Sequence, residues 1–258
     1  MVKIVGDEGP AVLLLPGGAE AAEGFFPGLV EGLLADPGVR VILFDRPGVG
    51  DSIAPGGLAD AADALHEAIG ENGPVVAIGQ SLGGAVALLL ASQHPEDIAG
   101  LVLLDPTPIT DPKLAAMVEK RAQQAVKMFR MPVVGAILRG SLKRSAKKSV
   151  ERHAMRPDVR DAMMTITDLD APKLGRAVVG LADIGAALDL STVPRVPAVV
   201  VTADRKPSDP IRAAHARIAQ EIGAELVSWP RAEHAVHLTH PDEVLETSRA
   251  VISATKQG

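Results

Sequence analysis

No cysteine and no tyrosine occur among the 258 residues, and there are only one tryptophan and four phenylalanines. Without thiols the chain has no disulfide, thiolate nucleophile, iron–sulfur cluster or cysteine-based zinc site; a thiol-free chain is compatible with either redox compartment. Aromatic residues at 2% leave almost nothing for base stacking or tyrosine-dependent chemistry. No apolar run approaches the roughly 18 residues that span a bilayer, so stable membrane insertion is not expected. Residues 1–10 lack the basic stretch and apolar core of a secretory signal, and a cytoplasmic location is the expectation. The net charge of −6 argues against a nucleic-acid partner.

A hydrophobic content of 47% with 25 Gly and 20 Pro belongs to a soluble globular chain with one sizeable domain or two small ones. Short β-branched apolar runs alternate with segments of helical spacing, the pattern of βαβ units around a mostly parallel sheet with helices on both faces. Strands are predicted at 11–15, 39–44, 74–79, 100–104, 196–202 and 225–229. Helices are predicted at about 26–35, 58–72, 82–93, 209–222 and 243–254. Residues 107–190 break the alternation with four or five short helical patterns punctuated by Pro112, Pro132, Pro157 and Pro172. This stretch holds 15 Lys+Arg against 9 Asp+Glu, whereas the rest of the chain holds 11 against 23. Residues 1–106 and 191–258 are therefore expected to form an α/β core, and 107–190 a helical insertion.

Gly79-Gln80-Ser81-Leu82-Gly83 is a G-x-S-x-G pentapeptide lying between a predicted strand and a predicted helix. A one-residue reversal from strand to helix strains Ser81, and side chains two positions on either side would collide, hence the glycines. The turn lifts the hydroxyl above the sheet edge and points the Leu82 N–H, at a helix N-terminus, toward an oxyanion formed on an attacked carbonyl. A serine hydroxyl needs a base, and the base an orienting acid. Asp204 follows the strand at 196–202, and His234 lies in the loop after the strand at 225–229. The order Ser, Asp, His is a known template for this chemistry. Asp105, directly after the strand at 100–104, is an alternative acid, and His237 an alternative base.

These motifs resemble those of the α/β-hydrolase fold superfamily, in its capped form that includes esterases, lactonases, C–C bond hydrolases and cofactor-free haloperoxidase-like enzymes. Leu13 to Gly18 resembles the family's strand and oxyanion loop, with Pro16 where histidine is usual. Asp45 to Ser52 is similar to its D-x-x-G-x-G-x-S loop, Leu101 to Pro106 to the strand before the cap, and His234 to Pro241 to the G-H-x6-P histidine segment. The resemblance implies Gly18 as the second oxyanion donor, with Ala19 close behind, and residues 107–190 as a lid. Gly17, Ala19, Phe25 and Gln80 are expected to line the substrate site. Glu233 stands where glycine is common, either touching His234 or facing solvent. The segment before residue 11 leaves room for about one leading antiparallel strand.

His234, His237 and His240 form H-x-x-H-x-x-H, but without H-E-x-x-H, and converging all three would need a bend, so no metal and no cofactor is expected. His66, His153 and His215 on predicted helices, and His94 at a helix end, read as solvated or satisfied. The basic residues of the insertion read as a solvated face; drawing acidic substrates or a membrane surface is the alternative. Its six methionines suit a pliable pocket roof or core filler. The expected activity is hydrolysis of a small to medium apolar carboxylic ester or lactone by Ser81, His234 and Asp204. C–C bond hydrolysis, acyl transfer or perhydrolysis, and non-catalytic ligand binding are the alternatives. The partner is then a small molecule, and the protein a monomer or homodimer.

Overall fold

The computed structural model describes residues 2–256. Seven strands form one sheet: β1 (Lys3–Val5), β2 (Ala11–Leu15), β3 (Arg40–Leu43), β4 (Val75–Gln80), β5 (Ile98–Leu104), β6 (Ala198–Val201) and β7 (Glu225–Val227), in the order β1-β3-β2-β4-β5-β6-β7. β1 pairs antiparallel with β3, and the other pairs are parallel. The doubly covered parallel sheet matches the fold class read from the sequence. A strand buried on both faces is nearly continuously apolar; every residue of β2 and β4 is buried, and Gln80, the last of β4, is the one polar residue in the two.

Alternate strand residues feed two cores. Leu13, Ala77, Leu101 and Leu103 pack on one face with Leu65, Val86 and Ile218. Leu14, Ile78, Val102 and Leu104 pack on the other with Leu33, Val244 and Ile252. The first face is covered by helices α2 (Ala61–Ile69), α3 (Leu82–Gln93) and α9 (Pro210–Ile222); the second by α1 (Leu29–Ala35) and α11 (Pro241–Thr255). Helix α3 is buried on all sides, from Leu82 to Ala91, as its unbroken apolar sequence requires. Each fully buried Leu or Val side chain contributes about 1.5–3 kcal/mol, so this central strand–helix unit holds the turn at Ser81 rigidly.

Between β5 and β6 the chain leaves the sheet for five helices: α4 (Pro112–Arg130), α5 (Pro132–Arg152), α6 (Pro157–Thr165), α7 (Ala171–Ala177) and α8 (Leu181–Ala187). Two of these are long rather than short, with 19 and 21 residues. The prolines at 112, 132, 157 and 172 each sit in the first turn of a helix they open, where a missing N–H costs nothing. Asp111 caps α4 by accepting from the N–H groups of Lys113 and Leu114. The methionines do not form a common roof. Met163 is buried with Ala146, Val159 and Leu238 while Met155 and Met164 pack partly against that cluster, and Met128 and Met131 face solvent.

Candidate active site

At the end of β4 the backbone of Ser81 takes φ 52° and ψ −115°, a conformation rare for a residue with a side chain. Hydrogen bonds hold it there: Ser81 N–H donates to Leu104 O at 3.0 Å, and Thr107 N–H donates to Ser81 O at 2.8 Å. The flanking glycines are required by space. A Cβ on Gly79 would stand 2.5 Å from Gly83 O, and one on Gly83 would run into Leu15 O.

His234 lies in the loop between β7 and a short helix, α10 (Val236–Thr239). Its Nε2 is 3.0 Å from Ser81 Oγ, and its Nδ1 is 2.6 Å from Asp105 Oδ2. The tautomer that suits both partners carries the proton on Nδ1, donates it to Asp105, and presents the Nε2 lone pair to the serine hydroxyl. The imidazole is 59% exposed, while the Asp105 carboxylate is 1% exposed.

Asp105 sits immediately after β5 with φ 46°. Its Oδ1 accepts from Ala203 N–H at 2.8 Å and from Arg205 Nη1; its Oδ2 also accepts from Arg205 Nη2 at 2.7 Å. Burial pushes the Asp105 carboxyl up, but the hydrogen bonds and charges of His234 and Arg205 outweigh it and hold the group well below the usual carboxylate range. Burial acts on Arg205 too, yet the two-pronged contact with Asp105 leaves its guanidinium raised.

The structure thus brings Asp105, and not Asp204, against His234. The exposed Asp204 accepts instead from Arg231 N–H at 2.7 Å, and its own N–H donates to Ala232 O at 2.8 Å, so it braces the loop leading to His234. Arg205 was missed in the sequence; its only signal was a cation one residue past an acid at a strand end.

His237 is not placed as a base. It is buried, stacks on Phe25 with ring centroids 4.4 Å apart, and neither ring nitrogen has a hydrogen-bond partner. Burial pushes it down to about 3, with the His234 charge adding to the effect. His240 pairs with Thr239 Oγ1 and Pro230 O, so the three histidines of the repeat have three separate environments. Among the others, His215 bridges Thr202 Oγ1 and Pro106 O, His66 pairs with Asp97, and His94 pairs with Asp63.

Gln80, expected to line the substrate site, is buried, and its Nε2 donates to His234 O at 2.9 Å. Gly17 passes so close to Gln80 Oε1 that a Cβ would collide with it, and that Cβ would stand 3.2 Å from Ser81 Cβ. Gln80 therefore ties the serine turn to the histidine loop, with Gly17 passing close against its amide. Pro16 supplies no polar side-chain anchor for the 16–19 segment, and the 45–52 loop holds it. Buried Arg46 donates to Gly18 O at 3.3 Å, Gly50 N–H donates to Ala19 O at 3.0 Å, and Asp45 accepts from Ala22 N–H at 2.7 Å. Gly18 has φ 57°, and Leu174 of α7 lies over it, 3.6 Å from where a Cβ would stand.

Glu233 does not touch His234 and is half-buried. It accepts from Ser149 Oγ at 3.0 Å and Arg152 Nη1 at 2.5 Å, joining α5 to the histidine loop. A cavity of about 720 Å³ opens between residues 20–31 and α6, with Phe25 and Ile166 in its wall. Glu20, Glu23, Glu31, Asp158 and Asp161 also line it, whereas Ser81 and His234 do not, so it is an acidic recess set apart from the serine and histidine.

A parallel sheet, a serine on a strained strand-to-helix turn, and a histidine and aspartate brought to it from later strands define a hydrolase-type α/β architecture. The chain belongs to the alpha/beta hydrolase family, which residues 12–247 match. It is 55% identical over 40 residues to the lipase LipV of Mycobacterium tuberculosis, covering 16% of this chain and 15% of that protein. It is 33% identical over 136 residues to the 2-hydroxy-6-oxo-6-phenylhexa-2,4-dienoate hydrolase of Comamonas testosteroni, covering 48% of this chain and 46% of the relative. The matches thus span less than half of either relative. A thermophilic esterase from Thermogutta terrifontis superposes with a TM-score of 0.72 at 22% identity, over 99% of this chain and 93% of that one, a likeness of fold.

Proposed function

We propose that the protein is a serine hydrolase that cleaves a small to medium apolar carboxylic ester or lactone through an acyl-enzyme on Ser81. The observation that carries this reading is the unbroken chain from Ser81 Oγ to His234 Nε2 at 3.0 Å and from His234 Nδ1 to Asp105 Oδ2 at 2.6 Å. His234 takes the hydroxyl proton as Ser81 Oγ bonds to the substrate carbonyl carbon. Asp105, kept ionised by Arg205, stabilises the imidazolium. The N–H groups of Leu82 and Gly18 receive the oxyanion; each such donor contributes about 10²–10³ in rate. Collapse of the tetrahedral intermediate breaks the bond to the alcohol oxygen, which leaves with the proton from His234. A water molecule, deprotonated by His234, then attacks the acyl carbon and restores Ser81. Residues 107–190 serve as the lid, with Leu174 above the oxyanion segment.

A C–C bond hydrolase would use the same residues, and the Comamonas relative is named for such a substrate, a dienoate. Acyl transfer and perhydrolysis differ only in the nucleophile that reaches the acyl-enzyme. Treatment with a fluorophosphonate should add one phosphonyl group, mapped to the Ser81 peptide and absent from Ser81→Ala. A series of p-nitrophenyl esters should show turnover highest at short to medium acyl length. An unlabelled Ser81 and no turnover above the Ser81→Ala background would leave a ligand-binding member of the fold in place of an enzyme.

A further inference from the structure

Between residues 120 and 150 the chain carries nine Lys and Arg and no Asp or Glu, whereas the chain outside 107–190 is acidic, with 11 Lys+Arg against 23 Asp+Glu. A solvated helical face normally mixes both signs. This stretch is the corner where α4 gives way to α5, and it is tight: a Cβ at Gly135 would strike the carbonyl oxygen of Phe129. The corner turns apolar side chains outward. Met128 is 43% exposed, Met131 53%, Val133 72% and Ile137 61%. Along α5, Val133, Ala136, Ile137, Gly140, Arg144 and Lys147 follow the three- and four-residue spacing of one helix face. That face is apolar at its N-terminal end and basic beyond, and an open groove runs along it. The opposite face, through Gly135, Ala146 and Ser149, is the packed one.

We propose that the α4–α5 corner docks the protein on an anionic lipid bilayer, with Met128, Met131, Val133 and Ile137 entering the interface and the basic side chains of α5 meeting the headgroups. Apolar residues at a helix start, followed on the same face by cations, suit the graded polarity of that boundary. Among the described residues, Lys143 is paired, with Asp168 at 3.0 Å, while Arg144, Lys147 and Lys148 have no acidic partner within 4 Å. The acidic body is repelled by the same surface, which orients the molecule with this corner down. Among the described residues no helix is long and apolar enough to cross a membrane, and the attachment proposed is peripheral. The docking does not depend on the proposed ester hydrolysis.

The test is sedimentation of the full chain with phosphatidylcholine vesicles and with vesicles containing about one-third phosphatidylglycerol. Binding is expected only to the latter, weakening as salt rises, and equally strong for Ser81→Ala. Each basic side chain near the surface adds about fivefold in partitioning, so Arg144→Gln with Lys147→Gln should lose roughly 30-fold. Val133→Ser with Ile137→Ser should lose about tenfold. Both pairs are exposed and should leave the circular dichroism unchanged. Because the chain has no cysteine, Val133→Cys accepts a single environment-sensitive dye, whose emission should shift to the blue on anionic vesicles; Gln220→Cys, on α9, should not respond. No binding to anionic vesicles at low salt, or binding indifferent to both pairs of substitutions, overturns the proposal. So does concentration-dependent self-association that Val133→Ser with Ile137→Ser abolishes while vesicles are ignored, which would assign the face to a second copy.

Discussion

Asp105 and Asp204 stand at the ends of neighbouring strands, β5 and β6, on the same edge of the sheet, and they do opposite things. Asp105 is buried and accepts from Ala203, from both terminal nitrogens of Arg205, and from His234. Asp204 is exposed and its carboxylate accepts from Arg231 N–H. A carboxylate removed from water stays ionised only if several donors replace the water; once they do, it is also rigid. That combination suits a group meant to hold an imidazole in one tautomer. An exposed aspartate with one backbone partner fixes a turn and contributes little field.

The sharpest way to break this contrast is substitution at both positions. Asp105→Asn should lower kcat on a p-nitrophenyl ester by about 10⁴, because the amide favours the wrong imidazole tautomer. Asp204→Asn keeps an oxygen to accept from Arg231 and should cost less than about tenfold. The reverse ranking would move the proposed acid to Asp204.

Removing the cation that Asp105 faces should be the next largest effect. Arg205→Met leaves a buried carboxylate short of two donors and should cost about 3–5 kcal/mol in urea unfolding. The folded Asp105 lies below its ordinary value of 3.8. Its contribution to stability is therefore complete above that value and drains away as pH falls through it toward the folded one. Arg205→Met narrows that interval, so acid unfolding followed by circular dichroism should begin at higher pH than in the parent protein.

Gln80→Ala tests whether the serine turn and the histidine loop are joined as the geometry implies. Losing the hydrogen bond to His234 O should reduce kcat about tenfold with KM little changed. A KM effect alone would return Gln80 to the substrate pocket.

His237 is the opposite of Asp105, a buried titratable group without partners. A free histidine titrates near 6.5, and burial pushes this one down to about 3. Above 6.5 both states are neutral; below it the unfolded chain takes up a proton that the folded chain refuses, and stability falls by up to about 1.4 kcal/mol per pH unit. His237→Phe keeps the stack on Phe25 and lacks this loss. It should gain on the parent by about 2 kcal/mol between pH 6.5 and 5, measured by urea unfolding, with turnover retained.

Much of this was legible before the fold. Ser81 was readable because its surroundings are local: an apolar strand, an all-round apolar helix, and glycines at the two positions where a Cβ collides. His234 was readable because it closes a loop after the last strand. The acid was not, since Asp105 and Asp204 both follow strands, and spacing along one chain does not tell which carboxylate turns inward. Gln80 looked like a pocket residue for the same reason; its partner, the carbonyl of His234, is 154 residues away. The methionines of the insertion were identified as adaptable, but whether each is buried or outward depends on how α4 to α6 pack.

By itself the sequence determined the α/β sheet, the serine turn, the helical insertion between β5 and β6, and the separation of charge between insertion and body, because these follow from periodicity, steric limits on neighbouring residues, and composition. Only the tertiary structure decided that Arg205 folds back on Asp105, that Asp204 is spent on a turn, that Arg46 and the 45–52 loop hold the segment at 18–22, and that the α4–α5 corner faces outward. Those outcomes rest on groups distant in the chain competing for the same donors and the same buried space, and such competition is settled only when the strands lie side by side.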